Sequence, residues 1–326
     1  MDFSPPEGGG FTDPRRWTIN LSTTLDMQSS HEKPLVSAII ATYNMGQYLS
    51  GAIQSVLDQK NVALELIVVD DGSTDATRAI VERYLTDSRV RYIYQANGGQ
   101  TKAKNAGLRA ARGRYIGFCD ADDMWHSDKL SLQLPLMEKD PRTAVVYGRI
   151  CPIDAKGAAL ESDATLGYTG HITEQLFIEN FIPFGSALIR RSALDEVNGF
   201  DEARRMGIDW DLWLRISVNH RFDFTPSVVY FYRVWEGQMS NNWKGRYENA
   251  FSIMRDFEKA HPGLISPAVR RKAYALSYSN RGQIRAKLDN DRTGCVLDAL
   301  RALSFGVCVD SSLRTLVKAF VRYPYR

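Results

Sequence analysis

The sequence is short of the features that most readily announce a function. Charge of one sign is missing: 41 Lys and Arg stand against 38 Asp and Glu, a net +3. That near-balance leaves no footprint for nucleic acid. Cysteine is scarce. Cys119, Cys151, Cys295 and Cys308 are widely spaced and make no CxxC pair, so neither a zinc site nor a disulfide framework is indicated. They are expected to be buried thiols in a reducing compartment. No GxGxxG follows a strand pattern, which removes a dinucleotide-dependent dehydrogenase, and no repeat of about 20 to 50 residues occurs. Long hydrophobic runs are lacking too. Residues 34–57 carry no charge, yet Ser37, Thr42, Asn44, Gln47, Ser50, Gln54 and Ser55 interrupt them too often for a membrane span. The first thirty residues hold Pro5, Pro6, Gly8, Gly9 and Gly10 but no apolar stretch of signal-peptide type. They read as a mobile leader on a cytoplasmic chain.

What is present is a globular composition, 44% hydrophobic and 24% charged over 326 residues, enough for one large domain or two. From Leu35 onward short apolar runs alternate with longer amphipathic segments, the pattern of an α/β fold with a mainly parallel sheet covered by helices. The strands are expected at Val36–Ala41, Leu64–Asp70, Val90–Tyr94 and Tyr115–Cys119, with helices near Gly46–Leu57, Asp75–Leu85 and Gln100–Ala111. Polar residues begin where each strand stops. Thr42-Tyr43-Asn44, Asp71-Gly72-Ser73, Asn97-Gly98-Gly99 and Asp120-Ala121-Asp122-Asp123 therefore gather at the carboxyl edge of the sheet, where open α/β folds bind ligands. Beyond them Ala144–Tyr147, Phe184–Ile189 and Ser227–Arg233 look extended. After Trp243 only helices are expected, near Arg246–Ala260, Pro267–Lys287, Thr293–Leu303 and Ser311–Val321.

The carboxylates carry the chemistry. Taken alone, Asp70-Asp71-Gly72-Ser73-Thr74-Asp75 is a strand-to-helix turn of a common kind. The second cluster adds weight, because Asp120, Asp122 and Asp123 crowd the mouth of a buried strand and repel. Such packing is costly without a cation, and all-oxygen ligands suit a hard ion such as Mg²⁺ or Mn²⁺. An ion held by one or two carboxylates commonly completes its shell with phosphate oxygens and water.

These four blocks, in this order and with Lys104-Asn105-Ala106-Gly107 after the third, resemble the family 2 glycosyltransferases over about Leu35 to Ser240. The resemblance implies a GT-A fold, Rossmann-like, with a nucleotide-diphospho-sugar donor (UDP by default), a divalent ion (Mn²⁺ or Mg²⁺) and inversion at the anomeric carbon. It implies that Ala41, Thr42 and Tyr43 line the nucleotide pocket, that Asp71 hydrogen-bonds the base, and that Asp120 and Ala121 lie near the ribose and the metal's water shell. Asp122, closing the Asp-Ala-Asp triplet, becomes the metal ligand, with Asp123 behind it. Lys104 or Lys102 would offset diphosphate charge, unless each is an ordinary helix-surface lysine. Asn105 would cap or brace its loop.

An acceptor hydroxyl is a weak nucleophile and needs a carboxylate within hydrogen-bond reach. In the Ile208-Asp209-Trp210-Asp211 stretch, Asp209 matches the family's catalytic base, while Ile208 stands where a Glu is usual. Asp211 is expected to be a first-turn acid favoured by the helix dipole. Gly185, Ser186, Trp210, Arg233 and Trp235 are candidates for the acceptor side. Trp235 occupies a place where the family often has His, so a metal or diphosphate contact from that side chain is lost; Arg233 would compensate and Trp235 would stack on a sugar or pack in the core.

The expected domains are a leader (1–33), a catalytic domain (34–243, with a nucleotide-sugar half to about 125) and a helical region (244–326). In the last helix Leu313, Leu316, Val317, Phe320 and Val321 form one apolar face with basic neighbours. It would pack on the catalytic domain or another subunit, or rest on an anionic membrane. The acceptor would be a saccharide, a lipid-linked or another hydroxyl compound. A sugar nucleotidyltransferase is disfavoured, because its Gly-rich, Arg-containing loop after the first strand is replaced here by Thr42-Tyr43-Asn44-Met45-Gly46. A catalytically silent nucleotide- or glycan-binding protein of the same fold is the other alternative.

Overall fold

A computed structural model describes residues 33–161 and 167–319. The leader reading, and Phe320 and Val321 of the last apolar face, lie outside the described residues. The chain begins with β1 (Val36–Thr42), α1 (Gly46–Leu57), β2 (Leu64–Asp70), α2 (Thr77–Glu82), β3 (Val90–Tyr94), α3 (Gln100–Ala110) and β4 (Tyr115–Phe118), close to the expected bounds. The strands run parallel in the order β3-β2-β1-β4. Their apolar runs are continuous because helices cover both faces: every residue of β2 is buried. The side-chain period of two sorts them into layers. Ile39, Ile67, Val69, Ile116 and Phe118 enter one core, and Val36, Ala38, Ile40, Leu66 and Val68 the other. On the first face α3 lies so close that a Cβ on Gly107 would come within 2.5 Å of Ile39.

The second half contains β5 (Met124–Trp125), α4 (Lys129–Lys139), β6 (Thr143–Ile153), α5 (Thr173–Ile178), β7 (Leu188–Arg190), α6 (Arg191–Glu196), α7 (Ile208–Ser217) and β8 (Arg221–Arg233). These complete an eight-stranded sheet, β3-β2-β1-β4-β7-β6-β8-β5. Here the parallel pattern gives way. β7 is antiparallel to β4 and β6, and β5 is antiparallel to β8. Phe184–Ile189 is not one extended run: Phe184–Ser186 form a 3₁₀ turn before β7, because the chain must turn there to enter the sheet reversed. Neither α4 nor α6 is among the elements expected from the sequence; Pro135 inside α4 removes a backbone donor and disguises the helix.

The described residues that follow form helices, as expected: α8 (Trp243–Ala260), α9 (Pro267–Ile284), α10 (Arg292–Ser304) and α11 (Val309–Lys318). Ser266 caps α9 by accepting from the Val269 N–H, with Pro267 in the first turn. Ile253, Met254 and Phe257 of α8 join the core that contains Trp213 of α7. In α11 the packed side is Ser312 and Thr315, while Leu313 and Val317 are 46% and 63% exposed. Leu313 and Val317 therefore do not pack on α9, against which α11 sets a polar seam of Ser279, Ser312 and Thr315 hydroxyls. No helix of the described residues is long and apolar enough to cross a membrane. Of the cysteines Cys119 and Cys295 are buried, but Cys151 and Cys308 only partly so.

Candidate active site

The loops that leave β1 and β2 are knitted together. The Asn44 N–H donates to Ser73 Oγ at 2.9 Å, the Thr74 N–H to Asn44 Oδ1 at 2.8 Å, and the Gly46 N–H to Asp75 Oδ2 at 3.0 Å. Asp70 closes its own turn by accepting from the Ser73 N–H and the Tyr92 hydroxyl. Asp71 is buried and reaches across to the third loop. Its Oδ1 accepts from Gln95 Nε2 (2.7 Å) and the Gly98 N–H (2.9 Å), and its Oδ2 from the Gly99 N–H (2.7 Å). Three of about four acceptor positions are thus committed to holding the loop between β3 and α3. Gly72 lies at φ +82, and a Cβ there would stand 2.7 Å from the Asn97 nitrogen. Beside this frame Thr42 is buried with an unpartnered hydroxyl, Ala41 is half-buried and Tyr43 is exposed.

The three clustered carboxylates after β4 occupy three different situations. Asp120 Oδ1 accepts from Lys104 Nζ at 2.9 Å. Lys104 is buried, with its ammonium 4.3 Å from the Phe184 ring centroid. The helix-surface reading of Lys104 is therefore corrected: it stands on the inward face of α3, where a buried ammonium requires a partner. Lys102 is exposed. Asp123 turns inward, accepting from the Arg233 N–H at 2.6 Å and the Tyr230 hydroxyl at 2.8 Å. Burial, then the neighbouring Asp122 and Asp120, hold its carboxyl well above the usual range. Asp122 stays half-exposed at the edge, and Trp235 Nε1 donates to its Oδ2 at 2.8 Å. Burial and Asp120 raise its pKa while that N–H lowers it.

The cluster does not need an ion to offset all three charges, as the sequence suggests, because Lys104 pairs with one and buried donors satisfy another. Two carboxylates, Asp122 and the Lys104-paired Asp120, remain partly exposed. This fits a divalent ion that takes one or two protein ligands and fills its shell with phosphate and water. Among the described residues no group of three or more His, Cys, Asp or Glu forms a cage by itself.

Asp209 sits in the first turn of α7. The helix is entered through Gly207 at φ +67, where a Cβ would lie 2.8 Å from Ile253. Asp209 is half-buried, and its Oδ2 accepts from Asn180 Nδ2 at 2.9 Å. Asn180 Oδ1 is buried without a partner. Sequence reasoning passed over Asn180, which carries no motif. Asp211 is more than a first-turn acid. It is buried, accepting from Arg204 Nε at 2.8 Å and from Arg215 Nε at 2.8 Å, and Arg204 also reaches Asp256 of α8. The segment before α7 is tied to α3: Thr101 Oγ1 donates to the Arg204 carbonyl at 2.8 Å, and Asn105 exchanges hydrogen bonds with the Phe200 backbone. Asn105 is a brace.

Several acceptor-side candidates are corrected. Trp210 is buried and its indole N–H donates to the Leu176 carbonyl at 2.6 Å, so it anchors the core. Ser186 is fully buried with its hydroxyl on the Pro183 carbonyl. Gly185 is packed so tightly that a Cβ would lie 2.0 Å from the Tyr230 ring. The Arg233 guanidinium donates to the carbonyls of Asp122, Asp154 and Ala155 and rests over Tyr48. It braces the corner and is not free to compensate for another residue. Lys129, also missed from the sequence, is fully buried and donates to the Gly185 and Ser186 carbonyls at 3.1 and 2.8 Å. Burial pushes its ammonium down to about 7.

The chain resembles known proteins in sequence and in fold. The model of glycosyl transferase family 2 matches residues 37–197. An uncharacterized glycosyltransferase of Rickettsia prowazekii is 31% identical over 236 residues, 69% of this chain and 73% of that protein. Chondroitin synthase of Escherichia coli is 32% identical over 227 residues, 68% of this chain but 32% of the synthase. Against some relatives, then, the chain spans about a third of their length. Among solved structures, Staphylococcus aureus TarS in complex with UDP-GlcNAc has a TM-score of 0.63 at 18% identity, covering 87% of this chain and 89% of that one. Mannosyltransferase PcManGT of Pyrobaculum calidifontis, with GDP-Man and Mn²⁺, has a TM-score of 0.54 at 20% identity, covering 88% and 86%. The eight-stranded α/β sheet with helices after it is of the GT-A kind. On the sequence match and the extent of the Rickettsia prowazekii relative, this chain belongs to glycosyl transferase family 2.

Proposed function

We propose that the protein transfers a sugar from a nucleoside diphosphate to an acceptor hydroxyl by direct displacement, with inversion and with a divalent ion. The observation that carries the reading is the double use of α3. Its Lys104 holds Asp120 at the carboxyl edge of the sheet, and its Thr101 and Asn105 hold the segment that delivers Asp209. A donor corner and a carboxylate base are thereby referenced to one rigid element. Asp209 accepts the acceptor proton as the new C–O bond forms, and the bond to the diphosphate breaks on the opposite side, which inverts the anomeric carbon. Asp122 and Asp120 are the residues to hold Mn²⁺ or Mg²⁺, which when bound stabilises negative charge on the departing diphosphate.

The donor class is supported by the neighbours solved with UDP-GlcNAc and with GDP-Man and Mn²⁺. UDP is our default nucleotide. Relatives named chondroitin synthase and succinoglycan biosynthesis protein ExoO support a saccharide or lipid-linked acceptor in cell-surface polysaccharide synthesis. The outward stripe of Leu313 and Val317, beside Arg314, supports peripheral contact with an anionic membrane surface.

Asp209→Asn tests the proposal. Transfer is expected to fall by about 10²- to 10⁴-fold, while the thermal shift produced by UDP-sugar and Mn²⁺ stays that of the parent. Full turnover with impaired donor binding would overturn the assignment of Asp209, and a parent protein that binds donor yet neither transfers nor hydrolyses it would be a binding module.

A further inference from the structure

We infer that Trp235 is a positioning residue for the metal corner, clamping one oxygen of Asp122 so that the other stays available to a divalent ion. The inference rests on the proposed role of Asp122.

The terminal torsion of an aspartate is a broad, two-fold rotor, so a lone half-exposed Asp122 would present its oxygens in many directions. The indole N–H fixes that rotor: Trp235 Nε1 donates to Oδ2 at 2.8 Å. Oδ1 accepts no hydrogen bond from another residue among the described ones. An indole N–H is a donor only and cannot ligate a cation. Its contribution is orientation, of the sort that outer partners give to metal-binding carboxylates.

Trp235 is itself held in place. Its backbone N–H donates to Gln238 Oε1 at 2.9 Å, and Gln238 Nε2 donates to the Tyr232 hydroxyl at 2.8 Å. The indole packs against Tyr48 with ring centroids 5.7 Å apart. Gly237 leaves room for it, since a Cβ there would stand 2.3 Å from the indole. Tyr48 in turn carries the Arg233 guanidinium at 4.7 Å, and Arg233 Nε donates to the Asp122 carbonyl at 2.7 Å. Two residues at the end of β8 thus grip the same aspartate, Arg233 by its backbone and Trp235 by its carboxylate. Neither contact is local in sequence, and neither position reads as a metal site on its own.

The test measures free Mn²⁺ by electron paramagnetic resonance during titration of the whole chain in the presence of UDP, with tryptophan emission followed in parallel. Trp235→Phe keeps an aromatic ring and removes the N–H. Its affinity for Mn²⁺ is expected to drop by about tenfold to a hundredfold. Its UDP binding in the presence of a chelator should match the parent, and the part of the emission that Mn²⁺ quenches in the parent should be gone. Unchanged or tighter Mn²⁺ binding in Trp235→Phe would overturn the inference, and so would an equal loss of UDP affinity without metal. If Trp235→Phe does not fold, Gln238→Leu frees the Trp235 backbone while leaving the indole intact; weaker Mn²⁺ binding than the parent's supports the clamp and parent affinity rejects it. Asp122→Ala separates the two layers. Mn²⁺ affinity retained in that variant would sink the role of Asp122 itself, whatever Trp235 does.

Discussion

The two sides of the site are built by different means. In the turns that follow β1 and β2, charged groups are satisfied within or between loops at neighbouring strand ends: Asp70 by Ser73, Asp75 by Gly46, Asp71 by Gly98 and Gly99. From the acidic cluster after β4 onward, the Lys104–Asp120 pair apart, they are satisfied across the fold. Lys129 reaches carbonyls at 185 and 186, Asp123 is held from 230 and 233, and Asp209 is held from 180. A strand-end motif can therefore be exchanged with local consequences. A long-range buried contact fixes the relation of whole elements, and its loss should spread.

The largest test of that contrast is Lys129. Its ammonium is pushed down to about 7 by burial, against about 10.4 when free, while the carbonyls it donates to favour the charged form. Between those values the unfolded chain binds a proton that the folded chain does not, so stability rises with pH through that window. We expect the parent to gain on the order of 3 kcal/mol between pH 7 and pH 10 from this group. In Lys129→Met that part of the gain should vanish, as read from urea unfolding at both pH values. Identical slopes in parent and variant would show that the carbonyls keep the amine charged throughout.

A smaller, local effect is expected from Asp71→Asn. The amide keeps one acceptor but turns a donor toward the N–H of Gly98 or Gly99. The loop ahead of α3 should loosen, raising the donor KM about tenfold through the loss of one hydrogen bond to a charged group, with the acceptor KM unchanged. Equal increases in both constants would break the comparison, since they would make Asp71 as far-reaching as Lys129.

The smallest effect belongs to Asn180→Ala, which removes the donor on Asp209 Oδ2. A loss of about 1 kcal/mol, or about fivefold in kcat with donor KM intact, is expected from steady-state rates. No change in kcat would leave Asn180 with a packing role.

How much was legible follows the same division. The strands β1 to β4, their helices and the polar edge could be read directly, because apolar runs, small-residue turns and the acidic triplet are all contained in short windows. Asp122 and Asp209 are singled out by motif alone. The contacts that hold the site are not: Asn180, the donor on Asp209, carries no signal, nor does Lys129 beneath the Gly185 and Ser186 carbonyls, and Ser186 and Trp210, plausible from their neighbours, turn out to be buried. Periodicity also hid α4 behind Pro135 and could not tell the 3₁₀ turn at Phe184 from a strand.

Composition and local pattern by themselves determined a parallel α/β half, the edge where ligands gather, and which carboxylates stand there. Only the tertiary structure decided how those carboxylates differ, pairing Asp120 with Lys104, turning Asp123 into the core and leaving Asp122 to Trp235. The reason is physical: hydrophobic period and turn chemistry act over a few residues, whereas desolvation and hydrogen bonding of a buried charge depend on whatever the completed fold brings beside it.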